Sequence, residues 1–305
     1  MAGLKQIKTK IRSVEKTGKV TKAMEAVSAA KMRKAQTRAL SGRAYARAAS
    51  GILARVSGST DLKKHPLAVV RPVKKALYLV VVADRGLAGA LNSGVLRATL
   101  ADMRTSNIPE SGVSVIAVGR KANDFFVARG IAVEEFYPNT DNASSSFIRE
   151  LVDKAAERFG SGAVDVVKIA YQNFFSTFEQ RPTIHTVFPL SLEELEKVVA
   201  DILPVRGAFA EPKTQVEHPS TYSVEPTEAE VFDSIVPRLA AIFVFHALLE
   251  SQASEHSARM VAMKSASDKA EEMTQALTLT FNKARQAAIT REVSEITGGM
   301  EAMAN

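Results

Sequence analysis

The sequence predicts an α/β fold in which long helices from the two chain ends pair as an antiparallel coiled coil and the middle forms a Rossmann-like domain. Three observations predict it: coiled-coil spacing near the N-terminus, similar spacing near the C-terminus, and alternating strand and helix patterns between them. The expected divisions are an N-terminal helix at 1–60, an α/β domain at 74–202, a connecting loop at 203–226 and a C-terminal helix at 227–305.

Apolar residues at the start of the chain follow the 3-4-3 spacing of a coiled-coil seam. They are Leu4, Ile7, Ile11 and Val14. The apolar pattern slips at Gly18 and resumes with Val20, Met24 and Val27, which predicts a stutter in the supercoil rather than the end of the helix. Good helix formers dominate from there to residue 54, so the helix is expected to continue.

The C-terminal segment has a seam of its own. After Pro237 neither Pro nor Gly occurs until Gly298, which allows a helix of roughly 90 Å at 1.5 Å per residue. The predicted seam residues are Met263, Ala266, Ala270, Met273, Leu277, Phe281, Ala284 and Ala288. Two long seams at opposite ends of one chain are most simply partners, although each could instead dock on another protein.

Between the long helices, β-rich apolar runs alternate with helical patterns, as in a doubly wound sheet. Strands are predicted at 77–83, 113–118, 131–136, 164–171 and 183–190, and helices at 91–103, 120–129 and 144–159. Prolines flank the last run, which favours an edge or antiparallel position for that strand.

Composition excludes several classes of function. The chain has no Cys, which removes disulfides, thiolate metal sites and thiol nucleophiles, and its five His form no ligand pair at helical spacing. No apolar run approaches the roughly 18 residues of a membrane-spanning helix. The histidines also have no paired acid at a recognisable spacing. We therefore predict no catalytic, cofactor-binding or metal-binding residues.

The turn at 84–92 follows the first strand and precedes a helix, a position where phosphates bind in other proteins. It contains Asp84, Arg85, Gly86 and Gly89 but neither GxGxxG nor a Walker-A motif. A structural or docking turn is the better interpretation.

Charge identifies the chemistry of a partner. Residues 1–57 carry fourteen Lys and Arg against two acids, Glu15 and Glu25, a net charge of +12 in a chain of net charge +7. An acidic protein, a nucleic acid or an anionic membrane would suit this segment. Its only aromatic residue is Tyr45, whereas nucleic-acid binding usually adds stacking aromatics, so an acidic protein is preferred. A nucleic-acid-binding coiled coil and a nucleotide-dependent enzyme built on the sheet remain alternatives.

Several motifs resemble the gamma subunit of F-type ATP synthases. The C-terminal run from Ile289 to Gly298 fits the family signature I-T-x-E-x-x-E-I-x-G. Further matches lie at 11–14, 20–24, 31–35, 84–87, 258–264 and 282–286, so the resemblance spans the chain. Ala88 stands where the family usually has Cys, and the Cys-bearing regulatory insertion of chloroplast forms is missing.

The resemblance implies a central rotor without its own active site or cofactor. The coiled coil would turn inside the alpha/beta hexamer, with the α/β domain against epsilon and the membrane c-ring. Proton flow would drive ATP synthesis, or ATP hydrolysis would drive the reverse rotation. The resemblance places the subunit at the cytoplasmic face of a bacterial inner membrane, or alternatively at the matrix side of the mitochondrial one.

The resemblance also implies which residues contact the hexamer. An acidic loop of the beta subunits would face the basic helix, and the tip at 296–303 would sit in an apolar bearing. The implied contacts are Lys8, Lys10, Arg12, Lys16, Lys19, Lys22, Met24, Arg33, Arg259, Arg285, Gln286 and Thr290.

Overall fold

The computed structural model describes residues 2–56, 65–106, 108–140, 144–191 and 227–304. The predicted connecting loop at 203–226 lies outside the described residues.

The chain forms two compact units. One combines Met1–Ser28 with Met260–Asn305, and the other is Ala29–Arg259. Two long helices, α1 (Ala2–Val56) and α5 (Glu228–Ala304), each contribute to both units.

Among its described residues, the second unit contains a five-stranded sheet with three shorter α-helices. In chain order, its elements are β1 (Ala76–Val81), α2 (Leu91–Thr105), β2 (Val113–Val118), α3 (Arg120–Val127), β3 (Ala132–Tyr137), α4 (Ser145–Gly160), β4 (Val166–Phe174) and β5 (Gln180–Phe188). The strand order is β3-β2-β1-β4-β5, and only the β4–β5 pair is antiparallel. This is the Rossmann order, with its switch point between β1 and β4. The fold class and the antiparallel edge strand are therefore confirmed.

Both faces of the sheet are covered, which explains the continuous apolar runs of β1 and β2. Leu77 and Leu79 point to one face, where α4 and the 232–248 part of α5 supply the core. Tyr78 and Val80 point to the other face, where α2 and α3 pack. The alternation along one strand thus builds two separate cores.

One window of α5 is long and apolar enough, by length and composition, to resemble a membrane span, with a mean hydropathy of 1.6. Half of that window is buried in the folded chain. Phe243, Val244 and Leu248 fill the core beneath the sheet, which accounts for the hydropathy.

Helix α5 also continues through Pro237, whose ring removes one main-chain hydrogen-bond donor, and through Gly298 and Gly299.

In the first unit, the seam of α1 follows one unbroken heptad. The least exposed positions are Leu4, Ile7, Ile11, Val14, Gly18, Thr21, Met24, Glu25 and Ser28. Val20 and Val27 are 51% and 56% exposed, so they lie outside this seam. The predicted stutter was wrong, because small and hydroxyl-bearing residues occupy the seam where the apolar pattern slips.

The facing seam of α5 largely follows the prediction. Its less exposed residues include Met263, Ala266, Ala270, Leu277, Phe281, Ala284 and Ala288. The exception is Met273, which is 40% exposed, while neighbouring Thr274 takes the seam position. At Gly18 the helices approach closely: a Cβ atom there would lie 3.2 Å from the Cβ of Ala270. Small seam residues therefore bring the two backbones together.

Asp165 ties the start of β4 to the start of β1. Its Oδ2 accepts the N–H groups of Lys74 and Lys75 at 2.8 and 2.9 Å. Its own N–H donates to the carbonyl of Lys75 at 2.9 Å. The hydrogen bond from the Lys74 N–H, with that from Lys75, lowers the pKa of the Asp165 carboxyl group.

This lowered pKa predicts a pH-dependent effect of Asp165→Asn. A carboxyl group with a depressed pKa in the folded state stabilises the fold above its unfolded pKa of about 3.9, and that contribution is lost as the pH falls through the folded value. We expect Asp165→Asn to lower the free energy of unfolding by roughly 1 kcal/mol at pH 7. Urea unfolding at several pH values should show the difference shrinking in acid. A loss of unfolding free energy that is the same at pH 7 and in acid would contradict an origin in the ionised carboxylate. Asp268 is exposed, so Asp268→Asn is the control.

Candidate partner-binding surface

The basic residues of α1 in the first unit lie beside its seam and face solvent. In the first unit they are Lys5, Lys8, Lys10, Arg12, Lys16, Lys19 and Lys22, and all are exposed. Within the described part of the chain they form no ion pair. Because the seam is made by other residues, these charges are available to a partner. Arg33, in the second unit, is exposed as well.

Two further predicted contact residues are partly covered. Met24 is half-buried in the first unit. Arg259 is the last residue of the second unit, and its side chain is 12% exposed. Its Nη2 donates to Glu255 Oε1 at 2.6 Å and to the Gly86 carbonyl at 3.4 Å. Arg259 is thus already engaged with the turn at 84–89.

That turn is built by hydrogen bonds within the fold. Asp84 Oδ1 accepts the N–H of Arg120 at 2.8 Å, and Asn92 Oδ1 accepts that of Ala83 at 3.0 Å. Gly89 has a φ of 58°, which favours glycine, and Leu87 adopts a similar φ of 64°. Ala88, the residue at the family's Cys position, is buried. The Asp84 carboxylate therefore orients the next strand-to-helix connection, which fits a structural turn.

The C-terminal end of α5 is exposed on every side from Ile289 to Met300. Arg285, Gln286 and Thr290, which the family resemblance selects, are exposed, and the Thr290 hydroxyl donates to the Gln286 carbonyl at 3.0 Å. One face of this end is apolar at 4-3-4 spacing. It consists of Ile289, Val293, Ile296 and Met300, each between 52% and 66% exposed. An exposed apolar stripe of this kind is typical of a protein-binding surface.

The crevice where a Rossmann fold binds its ligand is filled by α5. Such ligands bind outside the carboxyl ends of the strands at the switch point, here between β1 and β4. Ser251 Oγ donates to the carbonyl of Val81, at the end of β1, at 3.5 Å. Ser254 Oγ donates to the carbonyl of Gln172 in β4 at 3.2 Å. Both serines are fully buried, so α5 occupies the position that a nucleotide would need.

Two histidines lie beside acidic residues, although we predicted no such pairs from the sequence. His246 Nε2 lies 3.6 Å from Glu250 Oε1, one helical turn away, and both side chains are buried. His65 Nε2 lies 3.1 Å from Asp233 Oδ1, although 168 residues separate them. The i,i+4 spacing of the first pair was readable in the sequence, whereas the second depends on tertiary structure. Among the described residues, no group of three or more His, Asp or Glu could hold a metal ion.

Long paired helices, a filled Rossmann crevice and exposed basic and apolar faces are together typical of a protein that binds other proteins. The family model described as ATP synthase matches residues 3–303. ATP synthase gamma chains from Heliobacterium modesticaldum and Pelotomaculum thermopropionicum are each 37% identical, over 99% of this chain and the whole of each relative. The chain belongs to the ATP synthase gamma chain family.

Solved structures share the fold. A chain from the Euglena gracilis mitochondrial ATP synthase, solved with OSCP, F1 and the c-ring, aligns with a TM-score of 0.64 at 19% identity, covering 99% of this chain and 95% of its own. A chain from the central stalk and c-ring of the Tetrahymena thermophila enzyme aligns with a TM-score of 0.60 at 22% identity, covering 81% and 99%.

Proposed function

We propose that this chain is the central-stalk gamma subunit of a proton-translocating F-type ATP synthase. It rotates within the alpha/beta hexamer and couples proton flow through the membrane c-ring to ATP synthesis or hydrolysis at the beta-subunit sites. Full-length similarity to gamma chains is the observation that carries the proposal. The helices at 1–60 and 227–305 would supply the shaft, and the domain at 74–202 would bind epsilon and the c-ring.

The subunit works without an active site of its own. Helix α5 fills the sheet crevice at Val81 and Gln172, which supports a purely mechanical role for the α/β domain. Catalysis then belongs to the beta subunits, and gamma imposes the order in which their sites change state.

The exposed basic residues of α1 would meet the acidic loop of the beta subunits. A rotating contact needs weak and redundant interactions, because a deep energy minimum at one angle would stall rotation. Exposed ion pairs contribute only about 0–1 kcal/mol each, which suits this requirement. Arg285, Gln286 and Thr290 would touch the hexamer near the exposed apolar stripe of α5.

The chain would associate with the membrane through the complex, as a peripheral subunit. We place it at the cytoplasmic face of a bacterial inner membrane, since the relatives at 37% identity come from bacteria. The matrix side of the mitochondrial inner membrane is the alternative.

Co-expression with alpha and beta subunits tests the assignment. A tagged chain should purify with both subunits in a complex that hydrolyses ATP, whereas the chain alone should not. Failure to purify with them, together with salt-sensitive DNA binding or saturable nucleotide binding by the chain alone, would contradict the assignment.

Charge reversal tests the basic surface. Replacing Lys8, Lys16 and Lys19 together by Glu should leave the complex assembled but reduce ATP-driven proton pumping severalfold, because attraction to the acidic loop becomes repulsion. Exposed Lys121, in the second unit, offers a single-charge control as Lys121→Glu. Pumping is measured with a pH-sensitive dye in vesicles carrying the whole complex. Unchanged pumping in the triple variant would refute the electrostatic contact.

A further inference from the structure

We call residues 76–188, the five strands with the segments that connect them, the sheet unit. Six side chains in residues 250–259 of α5 form hydrogen bonds with main-chain atoms of this sheet unit. We call this set the clasp. It consists of Glu250, Ser251, Gln252, Ser254, Ser257 and Arg259. Because the partner atoms belong to the main chain, which every residue has, only the side chains of α5 decide whether these hydrogen bonds can form.

The clasp reaches five different parts of the sheet unit. Glu250 Oε2 accepts the N–H of Phe174, the last residue of β4, at 3.0 Å. Gln252 Nε2 donates to the Thr140 carbonyl, beyond β3, at 2.8 Å. The Ser257 hydroxyl donates to the carbonyl of Thr177, in the turn between β4 and β5, at 2.8 Å. The remaining bonds reach the end of β1, the body of β4 and the turn at 84–89.

These bonds surround the helix. At about 100° per residue, Glu250, Ser254 and Ser257 lie within roughly 60° of one another. Ser251 lies about 100° from Glu250, and the last two members, Gln252 and Arg259, lie on the opposite side of the helix. Hydrogen bonds on one face alone would allow α5 to pivot about that face. Hydrogen bonds around its circumference instead resist rotation of the helix about its own axis.

The chemistry of this segment also favours resistance to rotation. Residues 251–254 are buried, yet three of these four side chains are polar. Apolar packing is non-directional and tolerates sliding, whereas a hydrogen bond weakens steeply as its geometry is distorted. A buried carbonyl that loses its donor also carries a desolvation penalty. Twisting α5 here would break several bonds together.

We propose that the clasp is the joint that transmits torque between the sheet unit and α5, which continues from Arg259 without a break to Ala304. The inference rests on the proposed rotor function. The six side chains are positioning residues, because they hold the helix and act on the reaction only through it. Without the clasp, only the apolar packing of the 232–248 part would hold α5 to the sheet unit, and such non-directional packing resists rotation less.

The test is Ser254→Ala combined with Ser257→Ala in the whole membrane complex. The change removes two buried hydroxyl donors with little change in volume. ATP hydrolysis should persist, while protons pumped per ATP should fall roughly threefold to tenfold, because each lost hydrogen bond weakens the joint by a factor of that order. Ser254→Thr with Ser257→Thr keeps both hydroxyls and should restore the ratio.

A stability control separates torque transmission from a general loss of structure. Leu96→Ala removes a buried side chain from the opposite face of the sheet, away from α5, and should lower the melting temperature at least as much. We expect this control to keep the wild-type ratio of protons to ATP. If the serine-to-alanine variant also keeps it, or if Leu96→Ala lowers it equally, the clasp is not the torque joint. A wild-type complex that does not pump at all would instead refute the rotor function itself.

Discussion

Gly119→Ala is expected to prevent folding of the sheet unit. A Cβ atom at this position would lie 2.0 Å from the carbonyl oxygen of Val82, and the backbone φ of 106° is one that residues with a side chain rarely adopt. The main chain cannot withdraw, because the Gly119 N–H donates to the Tyr137 carbonyl at 2.8 Å and the Val82 N–H donates to the Val118 carbonyl at 2.9 Å. Backbone strain and steric overlap together should cost about 4 kcal/mol or more.

Two other glycines make matched controls for Gly119→Ala. Gly130 has a φ of 72° but open space around it, so Gly130→Ala should cost only about 1–2 kcal/mol of backbone strain. Gly94 lies in α2 with open space, so Gly94→Ala should stabilise the helix by roughly 0.5–1 kcal/mol. Urea unfolding of the three variants measures the series. A Gly119→Ala protein as stable as Gly130→Ala would contradict the close approach.

Gly18→Leu is expected to force α1 and α5 apart in the first unit. A Cβ atom at this position already meets the Cβ of Ala270 at 3.2 Å, so a leucine side chain has no room without local separation. Overpacking of this kind costs typically 1–3 kcal/mol. Hydrogen exchange should show faster exchange of the main-chain amides of both helices near this site, with smaller changes far from it.

Gly3→Leu controls for helix propensity in the same helix, because no atom lies within 4 Å of the added Cβ. It should stabilise α1 by up to about 1 kcal/mol. The pair Gly18→Ala with Ala270→Gly provides a second check, since it moves one methyl group across the seam. The double variant should be more stable than the sum of the single effects predicts. Strict additivity would show that the two positions do not contact each other.

The long helices and most strands were predictable because their apolar residues repeat with a clear period. The seam at Gly18 was not, because glycine and hydroxyl residues carry no hydropathy signal. Sequence patterns assign such residues to the surface, and here close backbone approach places Thr21 and Ser28 in the seam instead.

The clasp was hidden for a related reason. A run of Glu, Ser, Gln and His is typical of a solvated helix face, yet here it is buried against strand ends whose carbonyl groups need donors. Only the tertiary structure brings Ser254 to Gln172, which lies 82 residues earlier. Similarly, Asp233 reaches His65 across 168 residues. Local periodicity predicts elements, but it carries no information on such distant polar pairs.

Direct observation of rotation is the most decisive test of the rotor assignment. The chain has no Cys, so Lys121→Cys on the exposed surface of α3 provides a unique attachment point for a bead or fluorophore. With the alpha/beta hexamer fixed to glass by its beta subunits, added ATP should drive continuous rotation of the probe in one direction. A probe that stays fixed while the same complexes hydrolyse ATP would contradict the rotor assignment.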